Sequence, residues 1–201
     1  MKKIIALVLS ILMLTLALCS CGGSKAPYTK SETETNLVLI DVKGFGQIVV
    51  ELYPDIAPIT VANFKKLVSE GFYDGLIFHR VYEGFMIQGG GFTPDYVQKE
   101  TATIKGEFAA NGIKNDLSHT RGVISMARTN VMDSASSQFF IVHQDSLGLD
   151  GLYAAFGKVV SGIEVVDKIA TAETTYNYLG EKTEPIKTIV ITSVYFVNPE
   201  N

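Results

Sequence analysis

The sequence predicts a mainly β domain whose leading architecture is a barrel of about eight strands with two helical caps. Two observations carry this. From Leu37 onward the chain is dense in short apolar runs, "LVLIDV", "QIVVEL", "GVISMA", "SQFFIV", "AAFGKVV" and "TIVITSVYFV", joined by glycine-rich connections. Only two segments carry helical spacing. No internal repeat or second domain interrupts the pattern, and a single domain of this length buries a sizeable core.

The first helix is read in "PITVANFKKLVSEG": Pro58 suits the first helical position, Val61, Phe64 and Leu67/Val68 share one face, and Gly71 stops it. The second follows Gly162 in "GIEVVDKIATAE", with Ile163, Val166 and Ile169 on one face. Alternate residues of a strand point to opposite faces, so in "SQFFIV" Gln138 and Phe140 share one face and Phe139 takes the other. Gly89 to Gly91 lack the lysine and the strand–loop–helix context of a phosphate loop, and read as a tight bend or bulge where backbone approaches backbone.

The N-terminus has a different character. Lys2 and Lys3 precede a predominantly apolar run from Ile4 to Leu18, too short for a comfortable membrane span, and the run leads into "LALCSCGGS". This resembles a bacterial lipoprotein signal over residues 1–20, with Cys21 the lipidated residue: Ser20 precedes it, whereas Cys19 follows the bulkier Leu18. The resemblance implies an extracytoplasmic protein anchored to the cell membrane by lipid. Residues 21–36, small and polar, read as a flexible tether, and the folded domain is expected over 37–198. Cleavage before Cys21 leaves 15 of the 17 basic residues against 21 acidic ones, moving the formal charge from −4 to −6. That balance speaks against a nucleic-acid partner. A lipidated Cys21 also leaves no thiol pair for a disulfide, so stability must come from the core.

Common site chemistries find little support. His79, His119 and His143 have no second ligand at zinc-like spacing, although Asp145 lies near His143. The nucleophile elbow of serine hydrolases is absent.

Four stretches, "FHRVYEGFMIQGG", "SHTRGVISMA", "SSQFFIV" and "LDGLYAAFGKV", closely resemble in order and spacing the cyclophilin-type peptidyl-prolyl cis-trans isomerases. The likeness runs from about Leu37 to Val197, and "SMARTN" with Tyr153 after "LDGL" resembles the bacterial branch. The resemblance implies a closed eight-stranded antiparallel barrel with two helices, a proline-binding groove on its outer face and no cofactor. It further implies that Arg80 is the catalytic arginine and that Gln88 donates to a substrate carbonyl. Phe85, Met86, Phe140 and Leu149 would form the apolar pocket for the proline ring. Ala127 and the Arg128 backbone would bind the extended peptide, Gln138 would line the groove, and Tyr153 stands where many relatives carry histidine. His79 is expected to be a packing and hydrogen-bonding neighbour rather than a base.

The departures from the family pattern also carry expectations. The chain has no tryptophan, and "SLGLDG" stands where many eukaryotic relatives place one just before "LDG", so weak cyclosporin binding is expected. The "VMDSA" loop differs from the eukaryotic pattern, which leaves Thr129 to Ser136 without assigned roles. No site residue is taken from "TPDYVQKETATIKGEF". The expected partners are proline-containing segments of exported proteins, whose folding the isomerase would assist. The alternative is a holdase that retains such segments with incidental turnover.

Overall fold

The computed structural model describes residues 27–200, so the signal segment and Cys21 lie outside the described residues. The elements in order are β1 (Tyr28–Lys30), β2 (Leu37–Val42), β3 (Gly46–Leu52), α1 (Pro58–Ser69), β4 (Ile77–Tyr82), β5 (Met86–Gly89), β6 (Val123–Met126), β7 (Phe139–Val142), β8 (Ala155–Ser161), α2 (Ile163–Ala170), β9 (Thr174–Tyr176), β10 (Lys182–Pro185) and β11 (Ile189–Pro199). The main sheet runs β11-β2-β3-β8-β6-β7-β5-β4, and β4 returns to β11 through Ile189 opposite Phe78 and Val190 opposite Ile77. Every pairing is antiparallel, which gives the closed eight-stranded barrel and leaves it no free edge.

Alternation explains which residues fill it. Val38, Ile40 and Val42 of β2 and Ile48, Val50 and Leu52 of β3 point into one core, joined by Val61, Phe64 and Leu67 of α1 and Val166 and Ile169 of α2. Phe64, Tyr73, Phe78, Phe139 and Phe156 interlock there, with ring centroids 5.2 to 5.9 Å apart. β6 and β7 are nevertheless buried at every position, because their outer face is covered too. Phe139 and Ile141 face inward, while Phe140 and Val142 join Met86, Val123 and Ala155 in a second cluster outside the barrel.

The helix boundaries follow the expected signals: α1 begins at Pro58, and Gly71, at φ 62°, lies two residues past its end. The N-terminus of α1 has no local cap. The Glu107 carboxylate, only 2% exposed, comes from a distant loop and accepts the backbone N–H groups of Ile59 (3.0 Å) and Thr60 (2.7 Å) and the Thr60 hydroxyl (2.7 Å). A buried carboxylate is tolerated here because helix-terminal donors converge on it.

The tether expectation needs correction over part of its length. Tyr28–Lys30 pairs with Val197, Asn198 and Pro199 of β11, and Tyr28 packs on the outer cluster of Leu39, Val49 and Val197. An apolar patch on the barrel wall is covered by this short strand, so packing begins before Leu37.

Candidate active site

On the barrel's outer face, Arg80 of β4 lies opposite Gln88 of β5, Gln88 opposite Phe140 of β7, and Phe140 opposite Ser125 of β6. The four side chains form a row across four strands. Arg80 reaches this face through a bulge: Phe78 pairs with Gly89 and Arg80 with Gln88, leaving His79 as the extra residue. Phe78 is buried in the core, and strict alternation would turn Arg80 inward with it. The bulge reverses the parity and re-aims the guanidinium.

Beside the row lies a pocket of about 240 Å³ lined by Arg80, Phe85, Met86, Gln88, Ala127, Arg128, Phe140, Leu149 and Tyr153. Its size suits one small ring with a length of backbone rather than a drug-sized ligand. The expected site residues therefore come together from three strands and the three connections β4–β5, β6–β7 and β7–β8. Gln138 stands just outside the pocket lining, and its Oε1 accepts a hydrogen bond from Gln88 Nε2 at 3.0 Å. Phe85 is set by a tight turn in which its N–H donates to Tyr82 O at 3.0 Å. Tyr153 meets Phe140 edge-on at 5.7 Å. Larger open depressions beside α1 and β1, about 430 and 510 Å³, are lined by a mixture of charged, polar and apolar residues with no comparable row.

The Arg128 guanidinium is occupied by its own protein. Nε and Nη2 donate to Leu152 O, Nη1 donates to Thr129 O, and the group lies 4.7 Å from the Tyr153 ring centroid and 4.9 Å from that of Phe108. It braces the wall of the pocket. Thr129 to Ser136 form a loop braced from within, with Ser134 Oγ accepting from the Thr129 backbone N–H and hydroxyl, and from outside, with Asp133 accepting from the Gly106 N–H and Asn111 Nδ2; none of these residues lines the pocket.

Beneath Phe140, Ser125, His119 and Asp150 form a chain: His119 Nε2 lies 3.0 Å from Ser125 Oγ and Nδ1 lies 2.9 Å from Asp150 Oδ1. The arrangement has the order of a hydrolase triad but not its access. Ser125 is 0% exposed, so its hydroxyl meets no substrate. His119 stacks nearly parallel to Phe140 and supports the pocket floor, and burial lowers its pKa against the opposing pull of Asp150.

His79 packs edge-on against Phe92 at 4.7 Å, but its buried Nδ1 has no hydrogen-bond partner, so only the packing half of its expected role is met. Burial, then the Arg80 charge, lowers its pKa to about 4. His143 Nδ1 accepts the Gly84 N–H, and Nε2 lies 3.3 Å from Asp167, which Arg121 also grips with two hydrogen bonds. Among the described residues no three metal-ligand types converge.

The family model for cyclophilin-type peptidyl-prolyl cis-trans isomerases matches residues 37–196. This chain is a cyclophilin. It is 43% identical to peptidyl-prolyl cis-trans isomerase A of Dickeya dadantii over 98% of each chain, and 50% identical to peptidyl-prolyl cis-trans isomerase B of Escherichia coli over 62% of this chain and 78% of that one. The fold matches a Cryptosporidium parvum cyclophilin determined in the presence of the dipeptide Ala-Pro, with TM-score 0.67 and 27% identity, over 80% of this chain and 98% of that chain. As a cyclophilin the chain is a peptidyl-prolyl cis-trans isomerase.

One feature of this cyclophilin's site has no motif in the sequence. Glu181, between β9 and β10, forms a two-point ion pair with Arg80. Neither the β9–β10 hairpin nor Glu181 stands out in the polar stretch "NYLGEKTEP", where the turn signal of Asn177 and Gly180 is the only cue.

Proposed function

We propose that the pocket beside the Arg80–Gln88–Phe140 row holds the proline ring and that Arg80 drives rotation of the X–Pro bond. The bulge at His79, which turns a guanidinium toward an apolar pocket, is the observation that carries this reading. The rotation barrier of ~18–20 kcal/mol comes from delocalisation of the nitrogen lone pair into the carbonyl. In the twisted state that lone pair returns to nitrogen and accepts a hydrogen bond. Arginine suits the task because it stays charged at working pH and is more weakly hydrated than lysine.

A charge-assisted hydrogen bond contributes about 1.5–3 kcal/mol, roughly one to two factors of ten in rate when it forms only in the twisted state. The rest falls to orientation. Phe85, Met86, Phe140 and Leu149 hold the ring, Gln88 donates to a substrate carbonyl, and the backbone near Ala127 and Arg128 receives the extended peptide, with Gln138 and Tyr153 completing the groove. No proton is transferred. A proline-containing peptide as substrate is supported by the Ala-Pro dipeptide named for the Cryptosporidium relative.

The same reading extends to the setting. The n-region lysines, the apolar run and Cys21 support an enzyme lipid-anchored outside the cytoplasm, where slow prolines limit maturation of exported proteins. The absence of tryptophan supports weak cyclosporin binding. Isomerase relatives over nearly the full chain favour turnover over a holdase role.

The decisive measurement is exchange NMR on X–Pro peptides. Arg80→Ala should reduce kcat/KM by at least about tenfold while the melting temperature stays near wild type. An unchanged rate would remove Arg80 from the mechanism.

A further inference from the structure

Arg80 does not stand free at the rim. Its Nε donates to Glu181 Oε2 at 3.0 Å and its Nη2 to Oε1 at 3.4 Å, with the Arg80 side chain 27% and the Glu181 side chain 44% exposed. Glu181 is itself held from behind. Asn177 Oδ1 accepts its backbone N–H at 2.9 Å, the Asn177 N–H donates to its carbonyl at 2.8 Å, and Asn177 Nδ2 reaches Oε2 at 3.4 Å. The same Nδ2 lies 3.2 Å from the hydroxyl of the buried Thr183, and β10 packs against β4, the strand that carries Arg80.

We propose that Glu181 is the positioning residue of Arg80 and, by neutralising it, sets the charge preference of the groove. The inference rests on Arg80 being the donor to the imide. A guanidinium has five N–H donors, and Glu181 takes Nε–H and one hydrogen of Nη2. The Nη1 group and the second Nη2 hydrogen remain for substrate. A long side chain otherwise loses rotamer freedom only as it meets the twisting bond; here that entropy is lost before substrate arrives. The pair also keeps a half-buried cation tolerable beside Phe85, Met86 and Phe140.

The charge consequence follows from the second guanidinium at the pocket, that of Arg128, whose partners are neutral carbonyls and rings. With Glu181 present, the Arg80 charge is balanced. Without it, two positive charges would border the groove, and peptides with an acidic residue before proline would gain over those with a basic one. The hydrogen bonds and charge of Arg80 hold the Glu181 carboxyl below the usual range, so the pair persists at working pH.

Glu181→Gln, Glu181→Asp and Arg80→Ala, each in the full chain, would be compared by exchange NMR on Ala-Pro, Glu-Pro and Lys-Pro peptides, together with the Nε–H resonance of Arg80. Glu181→Gln should lower kcat/KM on Ala-Pro about tenfold, raise the Glu-Pro to Lys-Pro ratio at least about threefold, and move the Arg80 resonance. Glu181→Asp should recover part of the rate. A loss of folding alone would not change the peptide ratio. Wild-type rate, ratio and resonance in Glu181→Gln, beside a large loss in Arg80→Ala, would overturn the role of Glu181 and leave that of Arg80. An unaffected Arg80→Ala would overturn both, and a faster Glu181→Gln would overturn positioning by showing that the carboxylate restrains the arginine.

Discussion

The amide of Gln138 occupies the space that a side chain on Gly91 would need: a Cβ there would lie 2.4 Å from Gln138 Cγ and 2.7 Å from Nε2. Gly91 therefore sets the place from which Gln138 Oε1 receives the Gln88 amide. Gly91→Ala should push Gln138 aside and free Gln88, lowering kcat/KM by roughly three- to tenfold with a smaller effect on melting. Peptide isomerisation rates and a thermal melt check this, and a variant of wild-type activity would show that Gln138 does not hold Gln88 in place.

Glu107 caps α1 across the fold, and its loss is expected to act on stability rather than chemistry. Glu107→Ala leaves the N–H groups of Ile59 and Thr60 without their acceptor, at a cost of about 1–3 kcal/mol. For a domain of this size that corresponds to a fall in Tm of roughly 2–12 °C. Calorimetry should find it, with kcat/KM on folded protein unchanged.

His79 makes stability depend on pH in a definite direction. Its folded-state pKa is lowered from 6.5 to about 4 by burial and the Arg80 charge, so on acidification the unfolded chain takes up the proton first. The stabilisation is complete above about pH 6.5 and is lost as pH falls toward 4, by about 3 kcal/mol across that window. Denaturant unfolding between pH 7 and 4 should show the decline, and His79→Gln should flatten it.

Catalysis, in contrast, is expected to be insensitive to pH across the physiological range. A guanidinium donor takes no part in proton transfer there, His79 titrates far below it, and burial lowers the pKa of His119. Between pH 6 and 8, kcat/KM should vary less than about threefold. A bell-shaped profile would point to proton transfer and against the hydrogen-bond mechanism.

What the sequence disclosed depended on how locally each feature is encoded. Pro58 and Gly71 bracket α1 within one stretch, and the parity of "SQFFIV" correctly separates Phe139 from Phe140. The pocket residues were legible because each sits in a contiguous motif. The Arg80–Glu181 pair spans 101 positions, and Glu107 meets α1 from 47 positions away, so neither leaves a local pattern. The bulge at His79 is a property of two strands in register, invisible in either alone. β1 leaves no strand signal in the sequence because three residues on an outer edge need little hydrophobicity.

The short strand β1 also governs distance. Were Cys21 fixed in a bilayer, the chain from there to Tyr28 could extend at most about 25 Å. Because Tyr28 is fastened to β11, the catalytic body could not roam a wide volume above the lipid. It would sweep a thin layer at the membrane face, meeting polypeptides as they emerge rather than those already diffusing away.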